Sequence, residues 1–417
     1  MSLTMKRILL GSALGLLLAT VLALALALQG QALLPPAAEV QSGDVARAKD
    51  FLKRNDPRRV EGNPQRLVTI SEADLNLLLG QAALYSHAGA AQLRLHPGLA
   101  DLRLSLLVPK LGLWLNVQAR LRETGRLPEF EHVKVGRLPL PAWLANWVLR
   151  AALLRLPPEQ DVQFAKDLIR HIGFGEQYAQ VKYQWQADSM ARVMALVWPA
   201  PEQQRALAYH QALAQVAAAY PVYAHVSLAR LLPPLFDLAR QRAKGDVTLM
   251  AAENRAAILT LALHASGKSW AILMPAARAW EPVRPLVVTL AGRDDFPQHF
   301  LISAVLAIEG GGPLSDAIGV YKEVADSRGG SGFSFNDIAA DRAGTRFGLL
   351  AKTSPAKLQV AMSTGLQERD FMPDVADLPE FLSAAQFAQR YGTVESEGYK
   401  AQMAEIEARL DGLKLWR

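Results

Sequence analysis

LRLHPGLADLRLSLLVPKLGLWLNVQARL, residues Leu93 to Leu121, decides the fold class of the first half of this chain. Leu102, Leu104 and Leu106 alternate with Asp101, Arg103 and Ser105. Leu113, Leu115, Val117, Ala119 and Leu121 alternate with Asn116, Gln118 and Arg120. A period of two puts every second side chain on one face, so these runs predict antiparallel strands with one apolar and one wet face. His96–Pro97–Gly98 marks a turn between the first pair. Val133 and Val135 extend the pattern downstream, and Val181, Tyr183 and Trp185 give a last strand.

Helices flank these strands. Ser71 is an N-cap for a short helix through Leu79, with Asp74 near its positive end. Pro141 to Arg155 carries Trp143 and Trp147 four residues apart, on one face, and Asp161 to Ile172 reads as another helix. The expectation for 67–197 is an α+β domain: a curved antiparallel sheet with helices on one side.

Before this domain, Lys6 and Arg7 precede 21 uncharged, mostly apolar residues, Ile8 to Leu28. At about 1.5 Å per residue such a helix spans roughly 30 Å, the thickness of a bilayer core. Positive charge before the span holds the N-terminus in the cytoplasm. Residues 1–28 are therefore expected to be a signal anchor in a bacterial inner membrane, single-pass, with the body in the periplasm. A cleaved signal peptide is the alternative, with Ala25–Leu26–Ala27 as a small-x-small site. Residues 29–66 read as a linker and stalk: Pro35 and Pro36 stop the helix, and a solvated helix runs near Val45 to Arg54. The basic residues there suit anionic head groups as well as water.

From Pro199 the chain reads as helical: Ala200 to Ala219, Val226 to Lys244 interrupted at Pro233–Pro234, Thr248 to Ala265, Phe296 to Glu309, Leu314 to Ala325, Ser334 to Phe347, Pro379 to Tyr391 and Ser396 to Leu413. The overall expectation is α+β, with an N-terminal membrane helix, a curved sheet and a mostly α-helical domain over 198–417.

Composition narrows the chemistry. The chain has 417 residues and no cysteine, which removes disulfides, thiolate metal sites and cysteine nucleophiles. A net charge of +6 without basic–aromatic runs gives no sign of nucleic acid. No P-loop, G-x-G-x-x-G or H-E-x-x-H occurs. Ser331 in Gly–Gly–Ser–Gly has no strand leading into it, and His87, His96, His132 and His171 are scattered. Glu253–Asn254–Arg255, with His264 on the same helix, reads as a polar patch in solvated or capping use.

One segment, 293–348, departs from core-and-surface patterning. His299 lies on an apolar helix. Glu323 and Asp326 are three apart, and Asp337 and Asp341 four apart, so each pair shares a helix face. Ser334 caps the last of these helices. These five residues form the candidate catalytic cluster, with general acid–base work at His299 or a divalent cation among the oxygens as its two chemistries. Arg293, Lys322, Arg328, Arg342 and Arg346 lie nearby, and ion pairing to them is the plain alternative. No cofactor is specified.

Two resemblances follow from these residues. "ISEADLNLLL" from Ile70, the paired strands and "VKVGRLPLP" from Val133 resemble the YpmS-like domains of membrane-anchored envelope proteins, which implies an apolar groove and no catalytic residue. Asp295, His299, Phe300, Lys322, Glu323, Asp326, Phe333, Ser334, Asp337, Asp341 and Gly344 resemble the pattern of YfiM-like small envelope lipoproteins and, more distantly, VanZ-like membrane proteins. That implies an envelope role. The function expected is an anchored envelope protein that binds lipid or a partner without catalysis; the alternative is a metal-dependent hydrolase of an envelope polymer or lipid.

Overall fold

The computed structural model describes residues 20–35, 44–45, 47–48, 50–51, 65–87, 89–109, 111–154, 168–184, 198–310 and 332–417. They divide into two compact units, Met1–Ala38 with Asp50–Arg192, and Glu39–Lys49 with Val193–Arg417. The architecture is α+β with antiparallel sheet in the first unit, and largely helical in the second.

Alternation builds the main sheet of the first unit. Strands β3 (Ala90–His96), β4 (Leu99–Val108), β5 (Leu113–Arg122), β6 (Glu129–Val135) and β7 (Leu138–Leu140) follow one another as an antiparallel meander. Cross-strand register aligns Leu93, Leu102, Ala119 and Val133 on one face. The next register position aligns Arg94, Asp101, Arg120 and His132 on the other. Helix α1 (Glu72–His87) closes the open edge of β3: the Asn76 amide bonds both backbone groups of Leu93, and Glu72 accepts the Leu95 N–H. Helix α2 (Ala142–Leu154) does the same for β6, where Asn146 bonds both backbone groups of Phe130.

Several expectations are corrected. The described strands of the first unit form two sheets: β2 (Gln65–Ser71), β9 (Tyr178–Gln184) and β8 (Ile169–Gly175) make a separate antiparallel one. The helix expected from Asp161 does not extend through Ile172, because Ile172 pairs with Val181 in this sheet; residues 161–167 lie outside the described residues. The helix after Ser71 runs eight residues past Leu79.

Of the expected membrane span only the last residues, from residue 20, are described. Residues 20–27 are helical, and then Leu28–Gln29 form β1, paired antiparallel with Leu115 and Trp114. Residues 1–19 lie outside the described residues. Among the described residues no helix is long and apolar enough to cross a membrane. Nor is the chain after Leu28 a free linker. Buried Ser105 and Asn116 bind it: Leu33 N–H donates to both, Leu34 N–H to Ser105, and the Asn116 amide to Gln29 and Gln31. Of the helix expected near Val45 to Arg54, residues 45, 47, 48, 50 and 51 are described and helical, and the others lie outside the described residues.

In the second unit, α3 (Ala200–Ala218), α4 (Leu228–Ala243), α5 (Val247–Ala265), α6 (Phe296–Gly310), α7 (Phe335–Thr353), α8 (Pro355–Ser363), α9 (Ala384–Tyr391) and α10 (Glu397–Asp411) surround one large apolar core. Pro233 and Pro234 do not interrupt α4, whose flanking Leu231, Leu232, Leu235 and Phe236 are all buried. Packing outweighs the local cost of proline there. Val226 belongs to a short strand, β10 (His225–Ser227), parallel to β11 (Val287–Thr289). The helix expected from Pro379 starts only at Ala384, capped by Ser383. The expected helix Leu314–Ala325 lies outside the described residues.

Candidate functional site

Helices α6 and α7 meet along two glycines. A Cβ on Gly344 would stand 2.0 Å from the Phe300 carbonyl oxygen, and one on Gly348 2.2 Å from that of Ala304. Only hydrogen fits, so the backbones touch. Contact positions advance together on both helices, so the two run parallel. This register sets His299 and Ser303, one turn apart on α6, against Asp337 and Asp341, one turn apart on α7.

His299 Nδ1 lies 3.1 Å from Asp341 Oδ1, and its Nε2 lies 3.5 Å from Asp337 Oδ2. Ser303 donates its hydroxyl hydrogen to the same Asp341 oxygen at 2.9 Å. Asp337 and Asp341 are each 6% exposed. The other Asp341 oxygen, Oδ2, is buried without a hydrogen-bond partner among the described residues. A buried carboxylate with an unmet oxygen is costly, so this cluster is not ordinary packing. Chemically it is an imidazole held between two carboxylates, an arrangement that fixes the ring and can relay a proton.

Three of the five expected residues thus converge: His299, Asp337 and Asp341. Glu323 and Asp326 lie outside the described residues. The neighbouring arginines are engaged elsewhere: Arg342 and Arg346 bind Glu407, Arg346 also Asp411, and Arg293 binds Asp295 and Glu380. Asp295 is held below the usual carboxylate range; burial opposes this and the Arg293 guanidinium overrides it. Ser303 was missed by sequence reasoning, although a lone hydroxyl one turn from His299 on an apolar helix was the available signal. Among the described residues no group of three or more His, Asp or Glu side chains is arranged to hold a metal ion.

The polar patch on α5, expected to be solvated or capping, is buried at Glu253 and Asn254. Glu253 is 3% exposed and receives Arg205, Arg242 and the Tyr209 hydroxyl, while Asn254 bonds the Ala351 carbonyl and Gln359. Burial, reinforced by the Glu253 charge, pushes the Tyr209 hydroxyl far above its ordinary pKa. Glu253 is thus a structural hub joining α3, α4 and α5.

A cavity of about 630 Å³ also lies in this unit, walled by His210, Leu263, His264, Trp270 and Trp280 with Gln298 from α6. His210 Nε2 bonds the Glu281 carbonyl, and its ring stands 5.1 Å from that of Trp280. Burial, and then the charge of His210, push His264 below the usual histidine range. The sequence reading did not single out this cavity, because its walls come from distant segments.

Comparison with protein-family models, curated proteins and solved structures finds no match.

Proposed function

We propose that this chain is a membrane-anchored envelope protein, non-enzymatic, whose first unit rests on the bilayer and binds lipid. The observation that carries this reading is on α2: Trp143 and Trp147 are 71% and 63% exposed, and Val148 beside them is 51% exposed. Two indoles one turn apart, facing solvent, match the amphipathic rings that settle at the membrane–water boundary. Exposed apolar groups of this size mark an interaction surface. A second feature supports the same reading. Val21, Leu22 and Leu24 are exposed on the helical residues 20–27, which pass without a linker into β1. An anchor joined so directly to a sheet holds that sheet at the membrane. With Lys6 and Arg7 before the apolar run, the anchor is an inner-membrane single pass and the body lies in the periplasm. A reporter fused after Arg417 is then active only in the periplasm, and the depth of the two indoles in a bilayer containing brominated lipid tests the contact itself.

A second reading keeps support from the His299 cluster: a hydrolase of an envelope polymer or lipid, metal-dependent, with Glu323 and Asp326 completing the set. Its support is the buried, incompletely bonded Asp341. Stoichiometric metal in the purified full chain, lost in Asp341→Asn, favours it. A metal-free chain of unchanged stability leaves the cluster structural.

A further inference from the structure

The wet face of the main sheet carries more positive charge than its fold needs. Arg103 on β4, Gln118 on β5 and Lys134 on β6 stand side by side in register, and Arg94, Asp101, Arg120 and His132 occupy the adjacent row. Asp101 and, at the bulge of β6 beside His132, Glu131 are the carboxylates here, against Arg94, Arg103, Arg120 and Lys134; Arg120 binds Asp101 through two nitrogens at 2.8 and 3.1 Å. Arg94, Arg103 and Lys134 are exposed and have no ion-pair partner among the described residues. Unbalanced like charges on neighbouring strands oppose folding, so a stable sheet does not call for them. Arg103 and Lys134 border a cleft of about 600 Å³ that Asp101, Arg120 and Glu131 also line, floored by Gln118 and walled by Pro139 and Ala142.

We infer that this cleft binds the phosphate of an anionic membrane lipid, with Arg103 and Lys134 as the two clamping cations. They sit two strands apart, about 10 Å between backbones, a gap that their side chains close onto one phosphate from either side of Gln118. Arg120 stays with Asp101 and steers without clamping. The choice of lipid over a soluble polyanion rests on continuity. Ala142, at the cleft wall, is the first residue of the helix that presents Trp143 and Trp147. A head-group site and an interfacial aromatic pair thus share one border, which a polyanion in solution does not require. The inference rests on the membrane reading above and adds the class of lipid.

The test uses the full chain in two bilayers, phosphatidylcholine alone and an equimolar mixture with phosphatidylglycerol, each also prepared with brominated chains. Lys134 is labelled with an amine reagent and its rate followed by mass spectrometry, while bromine quenching of Trp143 and Trp147 is read in parallel. The expected result is labelling of Lys134 about fivefold slower in the anionic bilayer, and a loss of that protection in Arg103→Gln. Quenching in both bilayers with equal Lys134 rates overturns the anionic-lipid inference and leaves the membrane reading standing. Absence of quenching in both overturns the membrane reading beneath it. Protection by soluble polyphosphate in the neutral bilayer, as strong as that by phosphatidylglycerol, overturns the lipid assignment in favour of a soluble polyanion.

Discussion

The side-chain oxygen of Asn116 accepts the backbone N–H of Leu33 at 3.0 Å, across a separation of 83 residues. Together with Ser105 it stitches the segment that follows the apolar helix onto the sheet. Asn116→Ala leaves the Ser105 hydroxyl and the Leu33 amide short of a buried partner. The expected cost is about 1–3 kcal/mol in chemical denaturation. Hydrogen exchange at Leu33 and Leu34 accelerates more than exchange in β4. Unchanged protection of those two amides contradicts this role.

Gly344→Ala places a methyl group against the Phe300 carbonyl, where no flexible side chain can yield. Helices α6 and α7 must move apart. The expected destabilisation is about 1–3 kcal/mol, or more. The separation also stretches the contacts of His299 with Asp337 and Asp341, which the chemical shifts of the His299 ring report. Thermal unfolding identical to that of the parent chain rules out the close crossing.

His264 has a lowered pKa in the folded chain, owing first to burial and then to the charge of His210. Above the ordinary value near 6.5 both folded and unfolded states are neutral and this contribution to stability is complete. As pH falls below about 6.5 the unfolded state takes up a proton first, so stability is lost through the lowered folded value. His264→Phe removes that slope. The expected observation is a smaller drop in Tm between pH 7 and pH 5 for the variant. Parallel curves for the two chains contradict it.

What the sequence made legible was periodicity. Leu102, Leu104 and Leu106 marked β4, and the spacings of Asp337, Asp341 and His299 were enough to expect their meeting. What it hid was long-range pairing. Ile169 to Ile172 became strand because β9 lies beside it. Glu253 looked solvated because its partner Arg205 is 48 residues away. The Gly344–Gly348 pair was not read as a helix crossing, since a glycine's close approach is visible only once its neighbour is placed. Ser105 and Asn116 sat on the face expected to be wet, yet the strap from Gln29 to Leu34 covers them.

The contact of α2 with the bilayer is the central claim, and lipid-depth quenching tests it most directly. The full chain holds eight tryptophans, so the contribution of two is read by difference between the parent and Trp143→Phe/Trp147→Phe, each in vesicles with and without bromine on the acyl chains. Both indoles are exposed and neither supports the core, so the variant folds as the parent does. The expected result is strong bromine quenching in the parent and a clear fall in the quenched fraction in the variant. An equal quenched fraction in the two chains contradicts the claim and places α2 away from the membrane.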